Sequence, residues 1–141
     1  MKKIIIIFVI VFSIKSLNAL TSPVIDTLAY LQTIIANKAF FIGKPFSVLN
    51  DSLGIQIKLF APYPGLHSDI TKENSTSFSF YFPQSASDFY LSYPRLDIYW
   101  QTPLVFSQSD LIWVSNNGGI WLPNAYNLYF NRLIADIKLR E

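Results

Sequence analysis

Ser77-Phe78-Ser79-Phe80-Tyr81-Phe82 and Leu96-Asp97-Ile98-Tyr99-Trp100-Gln101 decide the fold class. In each, large apolar side chains recur at every second residue, the repeat of a strand with one buried face. Phe78, Phe80 and Phe82 are expected on the core side of one strand, and Leu96, Ile98 and Trp100 on the core side of another. Ile55, Ile57 and Leu59 alternate with Gln56 and Lys58 in a third. Pro62-Tyr63-Pro64-Gly65 should end it, because Pro cannot donate to a ladder and Gly supplies a turn. A polar loop is expected from there to about Thr76. Leu133, Ala135, Ile137 and Leu139 alternate with Asp136, Lys138 and Arg140 in the last segment. Tyr126, Phe130, Leu133 and Ile137 also fit a helical stripe, but a strand keeps the charges of residues 134–140 on one face and is preferred.

Upstream the period changes. Ser22-Pro23 offers a capping hydroxyl and a Pro suited to the first helical position. Val24, Leu28, Leu31 and Ile35 then form one stripe of an amphipathic helix running to about Asn37, with Asp26 near its start and Lys38 near its end. A shorter helix is expected after Gly43-Lys44, with Pro45 in its first turn, Phe46, Leu49 and Leu53 as its buried edge and Gly54 as a left-handed stop. Asn116-Asn117-Gly118-Gly119, between the apolar stretches 111–115 and 120–122, predicts a tight hairpin. Pro123 opens a further helical turn through Tyr126 and Leu128. Two N-terminal helices packed on one face of a four- to five-stranded, mainly antiparallel sheet make a two-layer α+β domain.

The first 19 residues are read apart from this domain, which spans 20–141. Met1-Lys2-Lys3, the apolar run 4–14 and Leu17-Asn18-Ala19 have the order of a secretory signal peptide. The apolar run, closed by Lys15, falls short of the roughly 20 residues of a membrane-spanning helix, so no retained transmembrane helix is expected. The product is expected in the periplasm or outside the cell. Without Lys2, Lys3 and Lys15 the formal charge goes from +2 to −1. The basicity belongs to the leader, and no nucleic-acid partner is expected. With no Cys in the chain, disulfides, thiolate metal sites and Cys nucleophiles are excluded.

The run Phe41-Ile42-Gly43-Lys44-Pro45-Phe46-Ser47-Val48-Leu49-Asn50-Asp51-Ser52-Leu53-Gly54-Ile55-Gln56-Ile57-Lys58 resembles the front end of small secreted proteins from Bacteroidetes-type bacteria. Gly119-Ile120-Trp121-Leu122-Pro123 and Ile134-Ala135-Asp136-Ile137-Lys138 resemble their tail. The resemblance implies an address and no activity. In element order the chain is also similar to small outer-membrane-assembly lipoproteins and β-lactamase-inhibitor-like modules, but it lacks their lipid-attachment Cys.

The chemical inventory is short. His67 is the single histidine, which excludes two-His metal motifs. His67-Ser68-Asp69 holds the residue types of a hydrolase triad, but neighbours in sequence do not converge on one reacting atom, and a solvated turn is the expectation. No glycine-rich phosphate loop or dinucleotide fingerprint occurs, so no cofactor is expected. Asp97 and Asp136 are the acids that the strand pattern places within the sheet, the pair a carboxylate-dependent glycan hydrolase would use. The chain carries 12 Phe, 8 Tyr and 3 Trp, more rings than a core of this size needs. Tyr81 and Tyr99 are expected on the outward face with Lys58, Asp97, Gln56, Ser79 and Gln101, and Tyr63, Tyr90 and Tyr93 in loops. Rings beside short polar groups suit a contact surface. Tyr81, Tyr99, Lys58 and Asp97 are therefore the candidate binding residues of a secreted, non-catalytic module for an envelope protein or glycan. A small glycan hydrolase, or an inhibitor or immunity partner of a secreted enzyme, is the alternative.

Overall fold

Asp26 caps the first helix, its side chain accepting the amide of Ala29 at 3.2 Å where the first turn has no internal partner. The computed structural model describes residues 26–65, 69–85, 87–88 and 93–141. The leader, the Ser22-Pro23 cap, Val24, His67, Ser68 and Tyr90 lie outside the described residues. Helix α1 (Thr27–Ala36) buries Thr27, Leu31 and Ile34, and a 3-10 turn (Lys38–Phe40) follows it. Helix α2 (Phe46–Ser52) buries Phe46 and Leu49 and ends at Leu53 in extended backbone. Gly54 is therefore not the left-handed stop expected. That conformation occurs at Gly43, with φ of 80°, and the Gly43 amide donates to the Ile134 carbonyl at 2.8 Å.

Four strands, β1 (Leu59–Pro64), β2 (Lys72–Ser79), β3 (Arg95–Val105) and β4 (Ile134–Arg140), form one antiparallel sheet in that order. The last segment is thus a strand, as its alternation predicts. β1 starts at Leu59, not Ile55, and runs through Pro62 and Pro64, which a sheet edge tolerates because an outward-facing position needs no donor. Residues 72–76, expected as the end of a polar loop, belong to β2. β2 ends at Ser79, so the three-Phe alternation outruns it: Phe78 and Phe80 are buried, while Phe82 lies 44% exposed.

The hairpin expected around Asn116-Asn117-Gly118-Gly119 is instead the end of a helix. α3 (Phe106–Ser115) is followed by α4 (Pro123–Tyr129), which Pro123 opens as expected. Asn117, Gly118 and Gly119 do have positive φ, a geometry that hairpin turns and helix C-terminal caps share. Here the Gly118 and Gly119 amides both return to the Trp113 carbonyl at 3.1 Å, and the Gly119 carbonyl accepts the Phe60 amide at 2.8 Å. The segment after α3 therefore lies along the outer edge of β1. Among the described residues there are four α-helices: two precede β1, and two sit between β3 and β4.

All four helices serve one core. Leu31 and Ile34 of α1, Phe46 and Leu49 of α2, Ala125 and Tyr129 of α4, and partly buried Ile112 and Trp113 of α3 pack with Phe60, Phe78, Leu96, Ile98, Trp100 and Ile137 of the sheet. Phe78 stacks on Phe46 with centroids 4.7 Å apart, and Trp100 stacks on Tyr129 at 5.4 Å. Most of the aromatic surplus is spent in this cluster. Among the described residues no helix is long and apolar enough to cross a membrane.

Candidate functional site

Strand parity sends the remaining sheet side chains away from that core. Register then sets them in rows: Tyr63, Ser75, Tyr99 and Asp136 in one, Ala61, Ser77, Asp97 and Lys138 in the next, and Leu59, Ser79, Arg95 and Arg140 in the third. Tyr63, Pro64, Asn74, Ser75, Asp97 and Tyr99, with Arg95 and Arg140, line a recess of about 500 Å³ on this face. The small side chain of Ser75, between Tyr63 and Tyr99, leaves the space.

Asp97 is the recess's buried acid. Ser77 Oγ and Arg140 Nε donate to it, the latter at 2.9 Å, and Arg95 Nε stands 3.8 Å away. The strong bond to Asp97 raises the pKa of Arg140, with Tyr99 adding to the effect. Lys138 faces Asp97 in register, yet its ammonium lies 4.5 Å from the centre of the Tyr99 ring. It makes no ion pair within the described residues.

The four expected binding residues separate. Tyr99 and Asp97 meet in the recess. Tyr81 lies past the end of β2, packs against the core and donates its hydroxyl to Thr27 of α1 at 2.6 Å. It therefore does not share the face of Tyr99. Lys58 precedes β1, bonds Gln56 at 2.6 Å and lies 5.9 Å from the Phe82 ring, outside the recess. Asn74, Ser75, Arg95 and Arg140 are residues the sequence reading did not single out. The signal for the arginines was present, because Arg95 and Arg140 share the parity of Asp97 and Lys138 in their strands.

Asp136 stands on the same face as Asp97, one row along, but Lys38 Nζ reaches it at 2.6 Å. That bond holds its carboxyl below the usual range, the wrong direction for a general acid. Asp69 accepts from the Thr71 amide at 2.9 Å and from the Thr71 hydroxyl, an exposed turn whose bonds lower its pKa. Among the described residues no three acids or histidines cluster as a metal site would require.

A second polar cluster lies inside the molecule. Glu73, completely buried at the irregular start of β2, accepts from the hydroxyls of Thr76, Ser109 and, at 3.0 Å, Tyr129. Trp100 Nε1 donates in turn to Thr76 Oγ1 at 2.9 Å. Desolvation pushes the Glu73 pKa up against the pull of these donors, and the same burial, with Glu73 nearby, raises that of Tyr129. Thr76, Trp100, Ser109 and Tyr129 come from β2, β3, α3 and α4, so the cluster ties both inserted helices to the sheet. Its surroundings are sealed, which makes it part of the architecture and not a surface site.

The chain matches no family model, no curated protein and no solved structure. Function is therefore argued from the recess itself.

Proposed function

We propose that this protein is an exported, non-catalytic module that holds an envelope polymer in the recess of Tyr63, Ser75, Asp97, Tyr99 and Arg140. The observation that carries this reading is the pairing of two half-buried tyrosines with amide, hydroxyl and guanidinium groups around one concave space, on the face of the sheet opposite the core that the described helices cover. Such a surface binds by stacking and hydrogen bonds. The acids on it serve as ligands for neighbouring cations: Asp97 orients Arg140, and Asp136 anchors Lys38. The leader at residues 1–19 supports delivery to the envelope.

The test is sedimentation of the mature protein with washed cell-envelope polymer. Tyr63→Ala with Tyr99→Ala should lower the bound fraction at least about tenfold, stacking being worth roughly 1 kcal/mol or more per ring, with the thermal midpoint little changed. Undiminished sedimentation of a folded double variant would overturn the reading.

A further inference from the structure

We infer that the recess recognises an acidic glycan, with one sugar ring between Tyr63 and Tyr99 and its carboxylate on Arg140 and Lys138; this rests on the binding reading above. Tyr63 and Tyr99 flank Ser75 in one cross-strand row. Their backbones are two strand spacings apart, about 9 to 10 Å. Ser75 keeps the floor low between them, and all three side chains line the recess. A slot of that width with aromatic walls admits a flat pyranose, whose C–H faces meet the rings while its hydroxyls reach Ser75 and Asn74.

The charge comes from Arg140, which lines the recess, and from Lys138, which stands beside it opposite Asp97. Arg140 commits its Nε to Asp97, which fixes the guanidinium while its side chain stays 51% exposed. Lys138, exposed and next but one on the same strand, is held at the Tyr99 ring and has no carboxylate within ion-pair distance among the described residues. An oriented arginine beside an available ammonium is a receptor for a carboxylate. The location favours a glycan over an acidic peptide. The recess opens on the face of the sheet, where side chains point outward, and a peptide binding by strand addition would need the backbone groups of an edge. One such edge, at β1, is already taken by residues 119–121, with Phe60 N bonded to Gly119 O and Trp121 N to Lys58 O.

Titration calorimetry of the mature protein with an oligogalacturonate, a neutral cello-oligosaccharide of equal length and an oligoglutamate tests this. The uronate should bind, weaken with added salt, and lose about tenfold in affinity for each of Lys138→Gln and Arg140→Gln, the scale of one charge-assisted hydrogen bond. Lys138→Gln removes an exposed group that forms no ion pair among the described residues and acts on Asp136 only through space, so a folding defect in Arg140→Gln leaves the test intact. Equal binding of the neutral sugar, or binding of oligoglutamate alone, overturns the acidic-glycan assignment. Retention on envelope polymer that persists without uronate binding overturns it too, yet keeps the binding reading. Loss of both retires both.

Discussion

Replacing Glu73 by Gln should make the protein more stable at neutral pH, by an amount that depends on pH in a defined way. Glu73 is completely buried with three hydroxyl donors around it and forms no ion pair among the described residues. Its pKa is raised above the ordinary value of 4.5, with desolvation the largest cause. Below that ordinary value the side chain is neutral in both folded and unfolded chains, and wild type and variant should be nearly equal. As pH rises, the unfolded chain releases the proton while the folded one keeps it. Folding stability then falls by about 1.4 kcal/mol per pH unit until the native pKa is passed, and levels off. Glutamine keeps the shape, is always neutral, and presents one oxygen acceptor and an amide that the reoriented hydroxyls can accept. The stability gap between variant and wild type should therefore open at that slope above pH 4.5 and then become constant. For a domain stable by roughly 5 to 15 kcal/mol, such a gap is readily measured. Urea unfolding of both proteins at half-unit steps from pH 4 to 8 is the assay. Asp69 and Asp136, whose lowered pKa values add stability above the carboxylate range and lose it on acidification, titrate alike in both proteins and cancel. A gap independent of pH, or one that favours wild type more as pH rises, would refute the reasoning. The second result would mean that the hydroxyl donors outweigh desolvation.

Two further substitutions probe the packing. Gly119→Ala places a methyl 2.1 Å from the Phe60 carbonyl and 2.6 Å from the Trp113 ring, at a φ of 97°. A loss of at least about 2 kcal/mol is expected from overpacking and backbone strain, and calorimetry showing an unchanged midpoint would contradict the edge pairing of residues 119–121. Phe78→Ala should cost about 3 to 5 kcal/mol, whereas Phe82→Ser, at an exposed site, should stay within about 0.5 kcal/mol; similar losses at the two positions in denaturant unfolding would put Phe82 back in the core.

Several elements were legible because their signal is local. Leu96, Ile98 and Trp100 are all buried as their alternation predicts, and the segment closing on Ile137 is a strand. α3 was not legible. Its inward side is Ser109, Ile112, Trp113 and Asn116, a helical spacing that starts and ends on polar residues, while Leu111 and Val114 lie 70% and 59% exposed. An apolar count over this stretch therefore points to the wrong side chains, and the positive-φ turn after it suits a hairpin equally well. Tyr81 was misplaced for a similar reason. Parity assigns a face only while the strand lasts, and β2 stops two residues earlier.

By itself the sequence determined the α+β class, the period of β3 and that of residues 136–140, and therefore which of those side chains share a face, because these depend on residues a few positions apart. Tertiary structure alone decided which strand lies beside which. That choice sets Tyr63, Ser75 and Tyr99 in one row, brings Arg140 to Asp97, and closes Ser109 and Tyr129 over Glu73. The physical reason is that register and helix docking are fixed by burial summed over the whole core. A short polar stretch such as residues 71–76 carries no trace of the partners that folding will place around it.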